Sequence, residues 1–278
     1  MKRKLLFYAA SVSTVALLLG LLVLIATSSM YREGAQLQDD LMQHVTVAAP
    51  PTQTAADPTP EPMPDPAPET PHEASPAGGR EVFILPDHIV LPEVDFGALY
   101  EINADVVAWL ILPDTPIHHP VVQGTDNYHY LRHIFDGRRS NIGTLFVDTY
   151  NEPGFVDRNT IIYGHNLQDG SMFAVLENYS SQDFFNAHPW VFLLTPTGNY
   201  VIQLFAGYVT DVEGPSWRLW FSDDDDEFKE WVNAARARSD FVSDVEVRPS
   251  DQVVTLSTCS LAFYDARYVV VGRLLPIA

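Results

Sequence analysis

The sequence predicts a mainly β domain with a few added helices, set behind an apolar N-terminal segment and a proline-rich stretch. Past Trp109 the chain breaks into eight short runs rich in β-branched and aromatic residues: AWLIL, HHPVVQ, GTLFVD, NTIIYGH, WVFLLT, YVIQLFAGYVT, QVVTLST and RYVVVGRLL. Pro, Gly, Asn and Asp punctuate these runs, the pattern of an antiparallel sheet or barrel. No motif recurs at a period of about 20–50 residues, which argues against a solenoid or propeller.

The elements follow in order. Lys2, Arg3 and Lys4 precede an uncharged apolar run from Leu5 to Thr27. At ~1.5 Å per residue that run reaches about 34 Å, enough to cross a bilayer core. A cleaved signal peptide has a shorter apolar region of about 7–15 residues. Residues 1–30 are therefore expected to be a retained transmembrane signal-anchor, with the N-terminus in the cytoplasm and the remainder outside. Residues 31–81, which include AAPPTQTAADPTPEPMPDPAPETPHEASPAGG, read as a disordered proline-rich and acidic stalk with almost nothing to bury. Residues 82–278 are left as the folded domain. A formal charge of −20 without a basic patch excludes nucleic acid as a partner.

Within the domain, DFGALYEINADVVAWLIL suggests one or two short helices, with Asp95 and Asn103 as N-caps. A further helix is expected over Ser222–Ser239, where Phe228, Trp231, Val232 and Ala235 fall on one face. Ser222 with Asp225 forms an approximate capping box. The acidic run at its start and Arg236 and Arg238 near its end complement the helix dipole. That account of DDDD is better than a calcium site, because the spacing fits no EF-hand loop.

The chain has a single cysteine, Cys259, in VVTLSTCSLAFYDARYVVVGRL. Outside the membrane, cysteines tend to pair, so a lone one is either apolar filler or a thiol kept for chemistry. As a strand, VVTLSTC puts Thr255, Ser257 and Cys259 on one face. If a hairpin follows, Arg267 opens the next strand beside Cys259. A guanidinium there favours the thiolate, or donates to an oxyanion on an attacked carbonyl.

A cysteine nucleophile needs a proton-transfer partner. Of nine histidines, His118 and His119 point to opposite faces of a strand, and His188 reads as a turn residue. His129 and His133 are spaced as a metal pair, but no third ligand follows at a zinc-site spacing. His165 ends NTIIYGH, after a strand and a glycine, where a rigid sheet positions loop residues; a purely structural histidine is the equal alternative from position alone.

With these residues in view, the sequence resembles a class B sortase, a membrane-anchored cysteine transpeptidase of Gram-positive bacteria. HPVVQGTDNYHYLRH, GTLFVD, NTIIYGHNLQDGSMFAVLENY and TLSTC…ARYVVVGRL are similar to the family's blocks, in their order. Ala108 and His119 depart from residues the family often has there. The resemblance implies an eight-stranded sortase-type β-barrel with N-terminal helices and a helix-bearing insertion late in the barrel, which Ser222–Ser239 fits. It implies that His165, Cys259 and Arg267 are catalytic, and that Asn127, Leu131 and Ser257 line the peptide groove. The implied reaction needs no cofactor. It cleaves the C-terminal sorting signal of a secreted protein after Thr through a thioester, and transfers the protein to an amine of a cell-wall precursor or pilin. The internal LPDTP, Leu112–Pro116, looks like such a signal but lacks the glycine, the apolar segment and the basic tail, and reads as a turn. Two other readings remain open at this level: a membrane-anchored cysteine hydrolase using the same pair, and a non-catalytic binding module with Cys259 buried.

Overall fold

A computed structural model describes residues 32–46, 81–222, 225–259 and 265–278, with isolated residues 17, 20–22 and 29. The expected membrane span lies largely outside the described residues, as does the proline-rich stretch from 47 to 80. No helix among the described residues is long and apolar enough to cross a membrane.

The expected stalk, 31–81, needs correction at its start. Residues 32–42 form a helix, α1, followed by a short strand β1 (Val45–Thr46) that pairs antiparallel with β2 (Glu93–Val94). Leu37, Leu41 and Val45, four apart, are buried against Leu99, Trp109, Ile134 and Phe135. The apolar i, i+4 pair Leu37 and Leu41 on α1 needs a partner surface, which the domain supplies, and Val45 on β1 joins it. Gln38 adds polar ties: its Nε2 donates to the His118 carbonyl at 2.5 Å, and its Oε1 lies 2.9 Å from His119 Nδ1. Burial lowers the His119 pKa to about 4, so the ring stays neutral.

Helix α2 spans Phe96–Ile102, and Asp95 caps it by accepting from the Ala98 amide at 2.9 Å. Asn103 does not begin a second helix. It ends the first, its N–H donating to the Leu99 carbonyl, while its side chain accepts from the Asp105 amide and turns the chain into a strand.

Eight strands then close a barrel: β3 (Val106–Ile111), β4 (His118–Val122), β5 (Leu145–Val147), β6 (Asn159–Gly164), β7 (Trp190–Thr195), β8 (Gly198–Thr210), β9 (Gln252–Cys259) and β10 (Arg267–Pro276). Their order around the barrel is β10-β8-β7-β3-β4-β5-β6-β9. All eight apolar runs of the sequence became strands, but the pairing is not wholly antiparallel. β4 runs parallel to β5, and β6 parallel to β9. Parallel neighbours need long crossovers, which residues 123–144 and 165–251 provide. The LPDTP run is the turn between β3 and β4, with Asp114 at φ 58°.

Leu110, Val121, Leu145, Ile162, Leu193, Leu204, Leu256 and Val270, one from each strand, belong to a single buried cluster that fills the lumen. The alternate residues face outward and are covered on two sides. Trp109, Val122 and Phe146 lie in the cluster with α1 and α2. Phe205, Val253, Val269 and Val271 lie beneath α4 (Asp225–Arg238), which presents Phe228, Trp231, Val232 and Ala235. α4 is the expected insertion between β8 and β9, while α3 (Gln182–Ala187) precedes β7. The expected Ser222–Asp225 box is replaced by another partner: the Ser222 amide and hydroxyl donate to Glu227 Oε2 at 2.6 and 2.7 Å.

Candidate active site

β6 and β9 are adjacent and parallel, with Tyr163 opposite Ser257 and Gly164 opposite Thr258. Their C-terminal ends therefore reach the same rim of the barrel. His165 follows one and Cys259 ends the other. β10 starts there too, with Arg267 in register with Cys259. The backbone thus brings the three expected catalytic positions to one edge, although more than ninety residues separate His165 from Cys259.

His165 is fixed through its ring. Its Nε2 lies 2.8 Å from the Leu131 carbonyl, on the short turn His129–Leu131. A carbonyl only accepts, so Nε2 carries the hydrogen, and a neutral ring keeps Nδ1 as its basic nitrogen. Gly143, buried at φ 69°, backs this ring: a Cβ there would lie 2.6 Å from the Tyr130 carbonyl and 2.9 Å from His165 Cδ2. Gly164 is held small by Leu145 and Phe173, each within 2.6 Å of a would-be Cβ.

Arg267 is half-buried and donates from Nη1 to the Ala266 carbonyl at 3.0 Å. Among the described residues no carboxylate forms an ion pair with it. Beside it runs a groove of about 210 Å³, whose lining includes Asn127, Leu131, Tyr163, His165, Ser257 and Arg267. The three expected groove residues are thus all on its wall. Ser257 and Thr258 are both 1 % exposed, and their hydroxyls have no hydrogen-bond partner among the described residues. A buried unpartnered hydroxyl costs on the order of 1–3 kcal/mol, so the groove floor keeps hydrogen-bonding capacity for an occupant.

Sequence reasoning missed Tyr163, Thr258 and Asp148. Tyr163 donates its phenol to Asp148 Oδ2 at 2.8 Å, and burial followed by the Asp148 charge pushes its pKa well up. Period-two alternation back from His165 would have found it. Asp148 carries no such signal. His129 and His133 stack with centroids 4.0 Å apart, and no group of three ligating side chains that could hold a metal occurs among the described residues.

A family model, the sortase domain, matches residues 110–275. Sortase B of Listeria monocytogenes is 37 % identical over 178 residues, which cover 63 % of this chain and 72 % of that protein. Sortase B of Staphylococcus aureus is 35 % identical over 185 residues, 66 % of this chain and 75 % of that one. The solved S. aureus sortase B–substrate complex is similar with a TM-score of 0.62 at 34 % identity, covering 66 % of this chain and 85 % of the other. These likenesses set aside the reading as a non-catalytic module. Because the matched stretch runs from within β3 to within β10, takes in the whole rim and extends over more than half of the sequence, the chain belongs to the sortase family, in class B, the cysteine transpeptidases.

Proposed function

We propose that Cys259 is the nucleophile, His165 the acid–base group and Arg267 the oxyanion donor of a transpeptidase that cleaves C-terminal sorting signals after threonine. The observation that carries this reading is the register of Cys259 with an arginine that has no carboxylate partner among the described residues, at the rim of a groove that His165 also lines.

The thiolate attacks the carbonyl carbon of the threonine, and Arg267 donates to its oxygen as charge develops there. The C–N bond breaks, and imidazolium at His165 gives its proton to the departing amine, leaving a thioester on Cys259. An incoming amine attacks the thioester, its proton returns to His165, and the thiolate leaves. Splitting one amide exchange into two acyl transfers is what covalent catalysis achieves. The donor is a secreted protein with a C-terminal signal, and the acceptor is an amine of a peptidoglycan precursor or a pilin. A substrate bound to the S. aureus homologue supports a peptide in the groove.

The apolar run Leu5–Thr27, with its basic flank, completes the reading as a single-pass anchor in the cell membrane, the catalytic domain outside and the N-terminus in the cytoplasm. Substrate and lipid-linked acceptor meet at that membrane face, so tethering raises their effective concentration.

The test uses the full chain, wild type and Cys259→Ala, with quenched sorting-signal peptides, with and without an amine, and reads product masses. Cleavage after threonine that needs Cys259 and shifts to the amine adduct is the expected result. A hydrolysed product alone, however much amine is added, would identify a hydrolase instead.

A further inference from the structure

Asp148 follows β5 and is only 5 % exposed, yet no lysine, arginine or histidine pairs with it among the described residues. Three donors converge on its carboxylate. Tyr163 Oη and Asn127 Nδ2 donate to Oδ2 at 2.8 and 3.0 Å, and the Tyr150 amide donates to Oδ1 at 2.9 Å. Its main chain is held as well: its N–H donates to the Ile161 carbonyl, and its carbonyl accepts from the Asn151 amide. A buried carboxylate this well placed orients whatever donates to it.

We propose that Asp148 is a positioning residue that sets the hydrogen-bond polarity of the groove, leaving Tyr163 as an acceptor and Asn127 as a donor toward an amide of the client peptide. The proposal rests on the reading of the groove as the peptide site. An ionised carboxylate only accepts, so the Tyr163 hydroxyl hydrogen must point at Asp148, and the remaining lone pair of its oxygen is left for the groove. Asn127 is fixed from both ends. Its Oδ1 accepts from the Thr149 amide at 2.9 Å while its Nδ2 donates to Asp148. The flipped amide would set N–H against N–H and oxygen against carboxylate, so the second hydrogen of Nδ2 is what remains.

Both residues line the groove, and an extended peptide offers the matching pair, an N–H for Tyr163 and a C=O for Asn127. Ser257 and Thr258 do not set polarity, because a hydroxyl rotates to donate or accept. The fixed part of the pattern therefore traces to one carboxylate that does not itself line the groove.

The experiment is steady-state kinetics of the full chain on a quenched sorting-signal peptide that the wild type cleaves, comparing wild type, Asp148→Asn, Tyr163→Phe and the double variant. With its Nδ2 turned toward Tyr163 and Asn127, Asp148→Asn sets N–H against both donors; the reverse turn sets N–H against the Tyr150 amide and leaves the two side chains only a neutral, weaker acceptor. KM is expected to rise about tenfold, on the order of one lost hydrogen bond to a charged group, with kcat within about twofold. The double variant should be no worse than the weaker single variant by more than about twofold, because both changes remove one coupled unit. Iodoacetamide alkylation of Cys259 counts active molecules and should proceed at the wild-type rate. A purely structural role would lower the active fraction and leave KM alone. Unchanged KM, a loss confined to kcat, additive effects, or slowed alkylation would each overturn the proposal. If Asp148→Asn fails to fold, an unchanged KM in Tyr163→Phe overturns it by itself. Failure of the functional reading is visible separately, as a wild type that processes no peptide.

Discussion

Two arginines on β10, six residues apart, have opposite surroundings. Arg273 has a side chain only 5 % exposed, and its Nη2 donates to Glu81 Oε2 at 2.8 Å and to Asp251 Oδ1 at 3.1 Å. It ties the chain entering the domain to the β9–β10 pair, and its charge is answered in the folded state. Arg267, at the other end of the strand, bonds among the described residues only to the carbonyl of its neighbour and faces the groove. A cation neutralised by carboxylates holds structure together. One left without a carboxylate keeps its attraction for charge that appears only during a reaction. Residue type and strand are the same, so the neighbours decide the role.

Substitutions sharpen this contrast, and the largest effect is expected at Arg267. Arg267→Ala should cost about 10²–10³-fold in kcat, as for loss of an oxyanion donor, while stability changes by less than about 0.5 kcal/mol. A thermal midpoint that falls along with activity would erase the distinction. Arg273→Ala should do the reverse, leaving two carboxylates facing each other. We expect about 2–3 kcal/mol of lost stability in urea titrations, below the ~3–5 kcal/mol of a fully buried pair because the Glu81 side chain is 42 % exposed. Activity per folded molecule should be unchanged.

Next comes Gly143→Ala, which tests whether the rim depends on one left-handed residue behind His165. Forcing alanine to φ 69° costs on the order of 1–2 kcal/mol, and the added methyl would press on the His165 ring. Activity should fall further than stability alone explains, and a loss that merely tracks unfolding would show that the ring has room to move. The smallest expected effect is in pH dependence. Its hydrogen bond to Arg273 is the largest cause holding the Glu81 carboxyl below its ordinary 4.5. A depressed folded pKa contributes stability that is present above the unfolded value near 4.5 and lost as pH falls through the lower folded value. Thermal midpoints should therefore drop below about pH 4.5 in the wild type and drop less steeply there in Arg273→Ala, because the pair is already gone.

Much of the fold is legible in the sequence. The eight strands were legible because β-branched runs and turn residues act locally. The closeness of Cys259 to Arg267 followed from a hairpin, the shortest long-range contact a chain can make. Leu37 and Leu41 also carry a readable helical spacing, but the proline-rich composition beside them outweighs two apolar residues as a local signal. Asp148 was illegible for a deeper reason: in FVDTY it is one acid among many, and its meaning comes from Tyr163 and Asn127, fifteen and twenty-one residues away.

The sequence by itself determined the strands, the face of α4 and the closeness of Cys259 to Arg267, because hydrophobic period, turn chemistry and hairpin register are properties of neighbours along the chain. Only the tertiary structure decided the two parallel pairings, the hold of the Leu131 carbonyl on His165 and the split between Arg267 and Arg273. Each of those depends on which distant backbone or carboxylate barrel closure brings within about 3 Å, and no local pattern encodes that distance.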